Sequence, residues 1–146
     1  MDEAEILTDV SMRSKRSNGY DDAFMESCRE ELTVTAARMR EGEYWVAEDD
    51  RVCGLVCLTA QGDGAGEVHA FFIDPDYQRR GVGRRLWATV LGRAEALGLK
   101  HLCLDSDPAA APFYRAMGFE VIGETPSGSI AGRMLPRMAI SLGPKA

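Results

Sequence analysis

The sequence predicts a mixed α/β fold, one mixed sheet with flanking helices, and three observations carry that expectation. The first forty residues have apolar positions at helical spacing, with Ile6, Leu7, Val10 and Met12 as the first set. From Tyr44 onward, short β-branched and apolar runs alternate with turn residues. A strand, a double-glycine turn and a long amphipathic helix then succeed one another between Val68 and Leu97. Helices first, then three strands, a helix, a strand, a helix and two strands is not the regular alternation of a doubly wound sheet. At 146 residues and 16.0 kDa the chain is expected to form a single domain over 1–146, burying roughly two-thirds of its unfolded surface.

Each element has a local reason. Ala4 to Arg16 reads as a helix closed by the turn residues Ser17, Asn18 and Gly19. Asp21 or Asp22 caps a second helix reaching Glu31, and Thr35 caps a short third one ending near Gly42. Tyr44–Glu48 and Val52–Thr59, separated by Asp49, Asp50 and Arg51, read as a hairpin. Gln61–Gly66 reads as a Gly-rich loop, and Val68–Ile73 as a strand broken by Asp74 and Pro75. The helix from Val82 to Leu97 buries Leu86, Val90, Leu91 and Ala94, and Gly98 stops it. His101–Asp105 is a short buried strand. Asp107 caps a helix with Pro108 at its first position, running to Met117. Phe119–Gly123 and Arg133–Leu142 complete the sheet.

Composition narrows the function. A net charge of −6 argues against nucleic-acid binding, which relies on Lys and Arg at phosphates. Fourteen of the 23 Asp and Glu fall in the first fifty residues, so an acidic third precedes a slightly basic remainder. No run approaches the ~20 apolar residues of a membrane span, and the start MDEAEIL lacks the basic region of a signal peptide. A cytoplasmic location without membrane association is expected. Cys28, Cys53, Cys57 and Cys103 form no CxxC pair and read as small buried hydrophobes; no metal is expected.

The most informative run is Ile73 to Trp87. Gln78-Arg79-Arg80-Gly81-Val82-Gly83 joins a strand to a helix, and Arg84 and Arg85 follow. Two glycines one residue apart permit a tight turn with bare N–H groups, and the helix start adds unpaired N–H groups and a positive dipole end. Such a turn suits phosphates, although as a lone feature it also fits a plain turn beside solvated arginines. It is neither a P-loop, lacking GKS or GKT, nor a dinucleotide fingerprint, lacking the third glycine. With the downstream segment Phe113-Tyr114-Arg115-Ala116-Met117-Gly118-Phe119, the chain resembles the GNAT superfamily, the acyl-CoA-dependent N-acyltransferases, over about Tyr44 to Leu142.

The resemblance implies acetyl-CoA as co-substrate. Gln78, Gly81 and Gly83 match the family's QxxGxG turn, so backbone amides from Arg79 and Arg80 through Val82 to Arg84 are expected at the pyrophosphate. The edge Phe71-Phe72-Ile73 would hold the pantetheine arm, and the amide near Ile73 would polarise the thioester carbonyl. An amine must lose a proton to attack, so a base is needed. Glu67 stands where many members carry a Glu base; His69, two residues on, points to the same side, and both remain open. Tyr114 matches the YxxxGF tyrosine and is expected to protonate the leaving thiolate, with packing as its plainer role. Asp107 matches a position near the pantetheine arm, though helix capping alone would account for it.

The expected reaction is direct transfer to a primary amine, because no cysteine falls at the expected site: Cys103 is mid-strand, and Cys53 and Cys57 belong to the hairpin. A non-catalytic CoA-binding or sensing module is the alternative. The acceptor is left open among a small molecule, a peptide N-terminus and a lysine. Tyr20, Phe24, Trp45 and the acidic residues of 21–31 are candidates for shaping its side, as is the loop Pro126–Arg133, which could instead contact a second subunit of a homodimer. In one respect the chain departs from the resemblance: the family's first strand, before the first helix, is absent or very short.

Overall fold

The computed structural model describes residues 2–142. Three helices come first. α1 (Glu3–Arg16) starts at Asp2, whose carboxylate accepts from the Glu5 N–H at 2.8 Å. α2 (Asp22–Leu32) is capped by Asp21 and α3 (Ala36–Glu41) by Thr35. The remaining elements are β1 (Glu43–Glu48), β2 (Val52–Ala60), β3 (Ala65–Ile73), α4 (Val82–Ala96), β4 (His101–Asp105), α5 (Ala111–Ala116), β5 (Glu120–Pro126) and β6 (Met134–Ser141). No strand precedes α1 among the described residues.

The six strands form one mixed sheet in the order β1-β2-β3-β4-β6-β5, with β3 and β4 the parallel pair. Its two faces are covered differently. On one, α4 and α5 lie over Val56, Leu58, Val68, Phe71, Leu102 and Leu104. On the other, Leu7 and Val10 of α1 and Val34 close over Leu55, with Ala70 and Phe72 beside them. Burial of these side chains at ~25 cal/mol per Å² is the main term holding the helices to the sheet.

Three boundaries differ from the sequence expectation. β3 begins at Ala65, three residues early, because Gly66 belongs to the strand: a Cβ there would lie 2.6 Å from Leu102 Cδ2 and 2.8 Å from Leu99 Cδ1. The glycine allows close strand approach and does not mark a loop. Asp107 caps a separate 3-10 turn, Pro108–Ala110, and α5 starts only at Ala111. β5 starts at Glu120 and extends to Pro126.

The parallel pairing sets up the site. β3 and β4 pair only from Ala65–His101 to Glu67–Cys103. β3 nevertheless stays bonded to β2 as far as Ile73, and β4 to β6 as far as Asp105. Past Glu67 the two strands therefore fork. Six residues of β3, about 20 Å at ~3.3 Å each, have no strand on that side.

Candidate active site

The fork opens into a cleft of about 1220 Å³, lined by the end of α1, β3, the start of α4, and α5. Opposite the single Cys57 of β2, β3 carries two residues, His69 and Ala70, in a bulge that re-aims the strand beside the cleft.

The β3–α4 turn forms one end of the cleft. Gln78 is extended, Arg79 has φ 66°, and Gly81 has φ 80° as N-cap of α4. A left-handed non-glycine residue stores about 1–2 kcal/mol of strain, and such residues cluster at ligand sites. Gly81 offers no side-chain cap, and the first helical bond is from the Arg85 N–H to the Gly81 carbonyl at 3.1 Å. The N–H groups of Val82, Gly83 and Arg84 are thus without intrahelical partners at the positive end of the helix. Gln78, Arg79, Gly81, Val82, Gly83 and Arg84 all line the cleft. Arg80 does not. Its guanidinium lies 5.2 Å from the Tyr77 ring centre, and with Arg85 it lines a separate pocket of about 360 Å³.

Phe71, Phe72 and Ile73 run along the open edge. At the apex of the fork, both carboxylate oxygens of Glu67 accept from the Arg137 guanidinium, at 2.5 and 2.8 Å, and the Glu67 side chain is 16% exposed. Arg137 also reaches Asp105 at 3.3 Å, and Thr125 donates to the same Asp105 oxygen at 2.8 Å. This pairing raises the affinity of Arg137 for its proton, first through the Glu67 hydrogen bonds, so it remains a cation at any working pH. His69 is exposed, with its Nε2 2.8 Å from the Thr59 hydroxyl.

Tyr114 is buried among Phe71, Phe113 and Phe119, with ring centres 5.3–6.2 Å away. It lines the cleft, and burial followed by the Asp107 charge pushes its phenol well above the ordinary tyrosine value. It therefore keeps its proton. Contrary to the sequence expectation, a cysteine does line the cleft: Cys57. Burial pushes its thiol up, against a smaller opposing effect of its hydrogen bond with Tyr44, so it is a poor nucleophile.

Asp107 gathers four elements. Its carboxylate accepts from Lys15 at 3.0 Å, from Tyr20 at 2.8 and 3.0 Å, and from the Ala109 N–H at 2.8 Å, and Arg133 approaches to 3.6 Å. Burial acts to raise its pKa, but the bonds from Lys15, Ala109 and Tyr20 outweigh this and hold the carboxyl below its ordinary value. Tyr20 and Phe24 stack at 4.0 Å beneath the Arg133 guanidinium. Ser129 of the β5–β6 loop donates to Glu31 of α2, so that loop is tied to the acidic helix. Trp45 instead packs against the main core.

Arg137 escaped the sequence reading, and Lys15 and Arg133, which lie within the stretches 14–24 and 126–133 that it named, were given no role of their own. Their partners lie 92, 26 and 70 positions away, beyond any local pattern. Arg137 alone left a signal, as a charge within the otherwise apolar strand MLPRMAIS. Among the described residues no cluster of three or more His, Cys, Asp or Glu could hold a metal, and no helix is long and apolar enough to cross a membrane.

Comparison with known proteins places this geometry in a family. The model of the acetyltransferase (GNAT) domain matches residues 9–142. The mycothiol acetyltransferase of Actinosynnema mirum is 30% identical over 100 residues, covering 60% of this chain and 34% of its own length. The N-alpha-acetyltransferase RimI of Mycobacterium tuberculosis is 43% identical over 58 residues, covering 39% and 36%. The chain thus spans about a third of these two relatives. Among solved structures, PaiA N-acetyltransferase from Thermoplasma acidophilum, in complex with coenzyme A, superposes with a TM-score of 0.74 at 19% identity, covering 95% of this chain and 92% of its own. By the match across residues 9–142, the chain belongs to the GNAT acetyltransferase domain family.

Proposed function

We propose that this chain, acting as one domain, is an N-acetyltransferase that moves an acetyl group from acetyl-CoA to a primary amine by direct attack. One observation carries the reading: the bare N–H groups of Val82, Gly83 and Arg84 and the unpaired edge of β3 border the same cleft. The turn would take the pyrophosphate, Phe71–Ile73 the pantetheine arm, and the fork the thioester. The relatives named as acetyltransferases and the CoA-bound structural neighbour support acetyl-CoA as donor.

In the reaction the amine nitrogen bonds to the acetyl carbon and the carbon–sulfur bond breaks. The proton lost by the amine passes through water to Glu67, whose carboxylate Arg137 holds at the apex. The N–H near Ile73 polarises the carbonyl, and Tyr114, kept protonated by burial, supplies a proton to the departing sulfur. His69 is the second candidate base, favoured by its exposure beside Thr59. The acceptor is a small-molecule or peptide amine entering between α1–α2 and the β5–β6 loop. The test is release of free thiol from acetyl-CoA across a panel of small amines, peptide N-termini and lysine peptides. Amine-dependent thiol release supports the enzyme; tight acetyl-CoA binding with no release from any amine favours a sensing module.

A further inference from the structure

At the end of β3 lies a carboxylate that the proposed chemistry does not use. Asp74 is 0% exposed, yet its carboxyl group faces two arginines. Its Oδ2 accepts from Arg13 of α1 at 2.5 Å and from Arg51 of the β1–β2 hairpin at 3.4 Å. Its Oδ1 accepts from the Asp76 N–H at 2.9 Å. The Asp74 N–H donates to the Cys53 carbonyl, and the Asp74 carbonyl accepts from the Tyr77 N–H, both at 2.8 Å. Arg13 and Arg51 also reach Asp76, at 3.2 and 3.0 Å. Tyr77 donates to Asp50, and the Arg51 and Arg80 guanidinium groups lie over its ring, 5.1 and 5.2 Å from the ring centre.

Apolar packing would hold this corner at lower cost than a buried charge with two cations, so stability alone accounts poorly for it. What it holds is the segment leading to the left-handed Arg79 and Gly81. A strained residue persists only where its surroundings over-determine it. Here Asp74 fixes the turn on the β3 side, while Val82, packed 3.0 Å from where a Cβ of Gly54 would stand, fixes it on the α4 side. Neither Asp74, Arg13 nor Arg51 lines the cleft.

We propose that Asp74, braced by Arg13 and Arg51, is a positioning residue that preorganises the Arg79–Arg84 turn for the pyrophosphate of the donor, and for that part of the donor alone. The inference rests on the cofactor reading above. The brace also ties the donor turn to α1, whose Lys15 holds Asp107 at the other side of the cleft.

Asp74→Asn retains an oxygen for the Asp76 N–H and removes the charge. The loosened turn must be strained again on binding, so CoA is expected to bind about tenfold more weakly. Pantetheine, which lacks the pyrophosphate, should bind both proteins equally, as read by ligand-observed NMR. Arg51→Gln, at an exposed side chain, should weaken CoA in the same direction, and Arg51→Lys should recover part of the loss; these two serve if Asp74→Asn fails to fold. A lowered melting temperature with unchanged CoA affinity in the folded variants, or equal losses for CoA and pantetheine, would overturn the inference. Failure of the parent protein to bind CoA would instead remove the cofactor reading itself.

Discussion

Replacing Tyr114 by Phe removes one oxygen, and the structure gives a magnitude for both of its consequences. The ring sits 5.3–6.2 Å from Phe71, Phe113 and Phe119, and those edge-to-face contacts persist in the variant. No buried side-chain polar atom among the described residues lacks a partner, and none of the hydrogen bonds around Asp107 involves Tyr114. Stability should therefore change by no more than about 0.5 kcal/mol. Turnover is different. A positioned general acid contributes typically 10²- to 10⁴-fold, or about 2.7–5.5 kcal/mol of barrier, so kcat should fall by about 10²-fold or more. The KM for acetyl-CoA should hardly move, because the hydroxyl serves the leaving sulfur. The assay is thiol release at saturating acetyl-CoA, beside a thermal melt. Burial raises the phenol above its ordinary value of 10.0, so Tyr114 stays protonated and causes no loss of rate with rising pH below about 10. A kcat within twofold of the parent in a variant of unchanged stability would refute the role.

Glu67→Gln should lower kcat/KM by about 10²-fold while His69→Gln stays near the parent; the reverse pattern in steady-state kinetics would move the base to His69. Arg137→Gln leaves Glu67 without both of its short bonds, and should destabilise by about 1–3 kcal/mol in urea unfolding. Asp107 has a folded pKa below its ordinary 3.8, so the stability it contributes is present above that value and is lost as pH falls through the folded value. Melting temperature should therefore fall as the pH drops below about 4, and less steeply in Asp107→Asn; equal slopes would show that Asp107 is not the group responsible.

Much of the β3–α4 end of the cleft was legible because it is local. Gln78, Gly81 and Gly83 announced a tight turn between a strand and a helix, and the structure has Gly81 capping α4 at φ 80° while Gly83 lies within the helix. Arg79 adopts φ 66° without any glycine to announce it, a conformation that no local propensity of arginine predicts. Gly66 misled because a strand glycine that lets Leu102 approach looks, in sequence, like a loop glycine beside Gly62 and Gly64. Cys57 reads in sequence as a small buried hydrophobe of the hairpin, and only the fold shows it lining the cleft opposite the β3 bulge. The side formed by α1, Tyr20 and the β5–β6 loop was the least legible, because Lys15–Asp107, Arg133–Tyr20 and Arg137–Glu67 join residues 70 to 113 positions apart. Only the fold brings these charges together.

The central claim is that the β3–α4 turn and the open edge of β3 hold acetyl-CoA, and calorimetric titration tests it most directly. The parent should take up one equivalent of acetyl-CoA. Gly83→Trp should take up none while still unfolding cooperatively, because a side chain at Gly83 starts from a Cβ position 3.4 Å from the Phe113 ring, inside the cleft that the turn borders. Equal binding by the two proteins would displace the cofactor from this turn, and a folded parent that binds no acetyl-CoA would contradict the account.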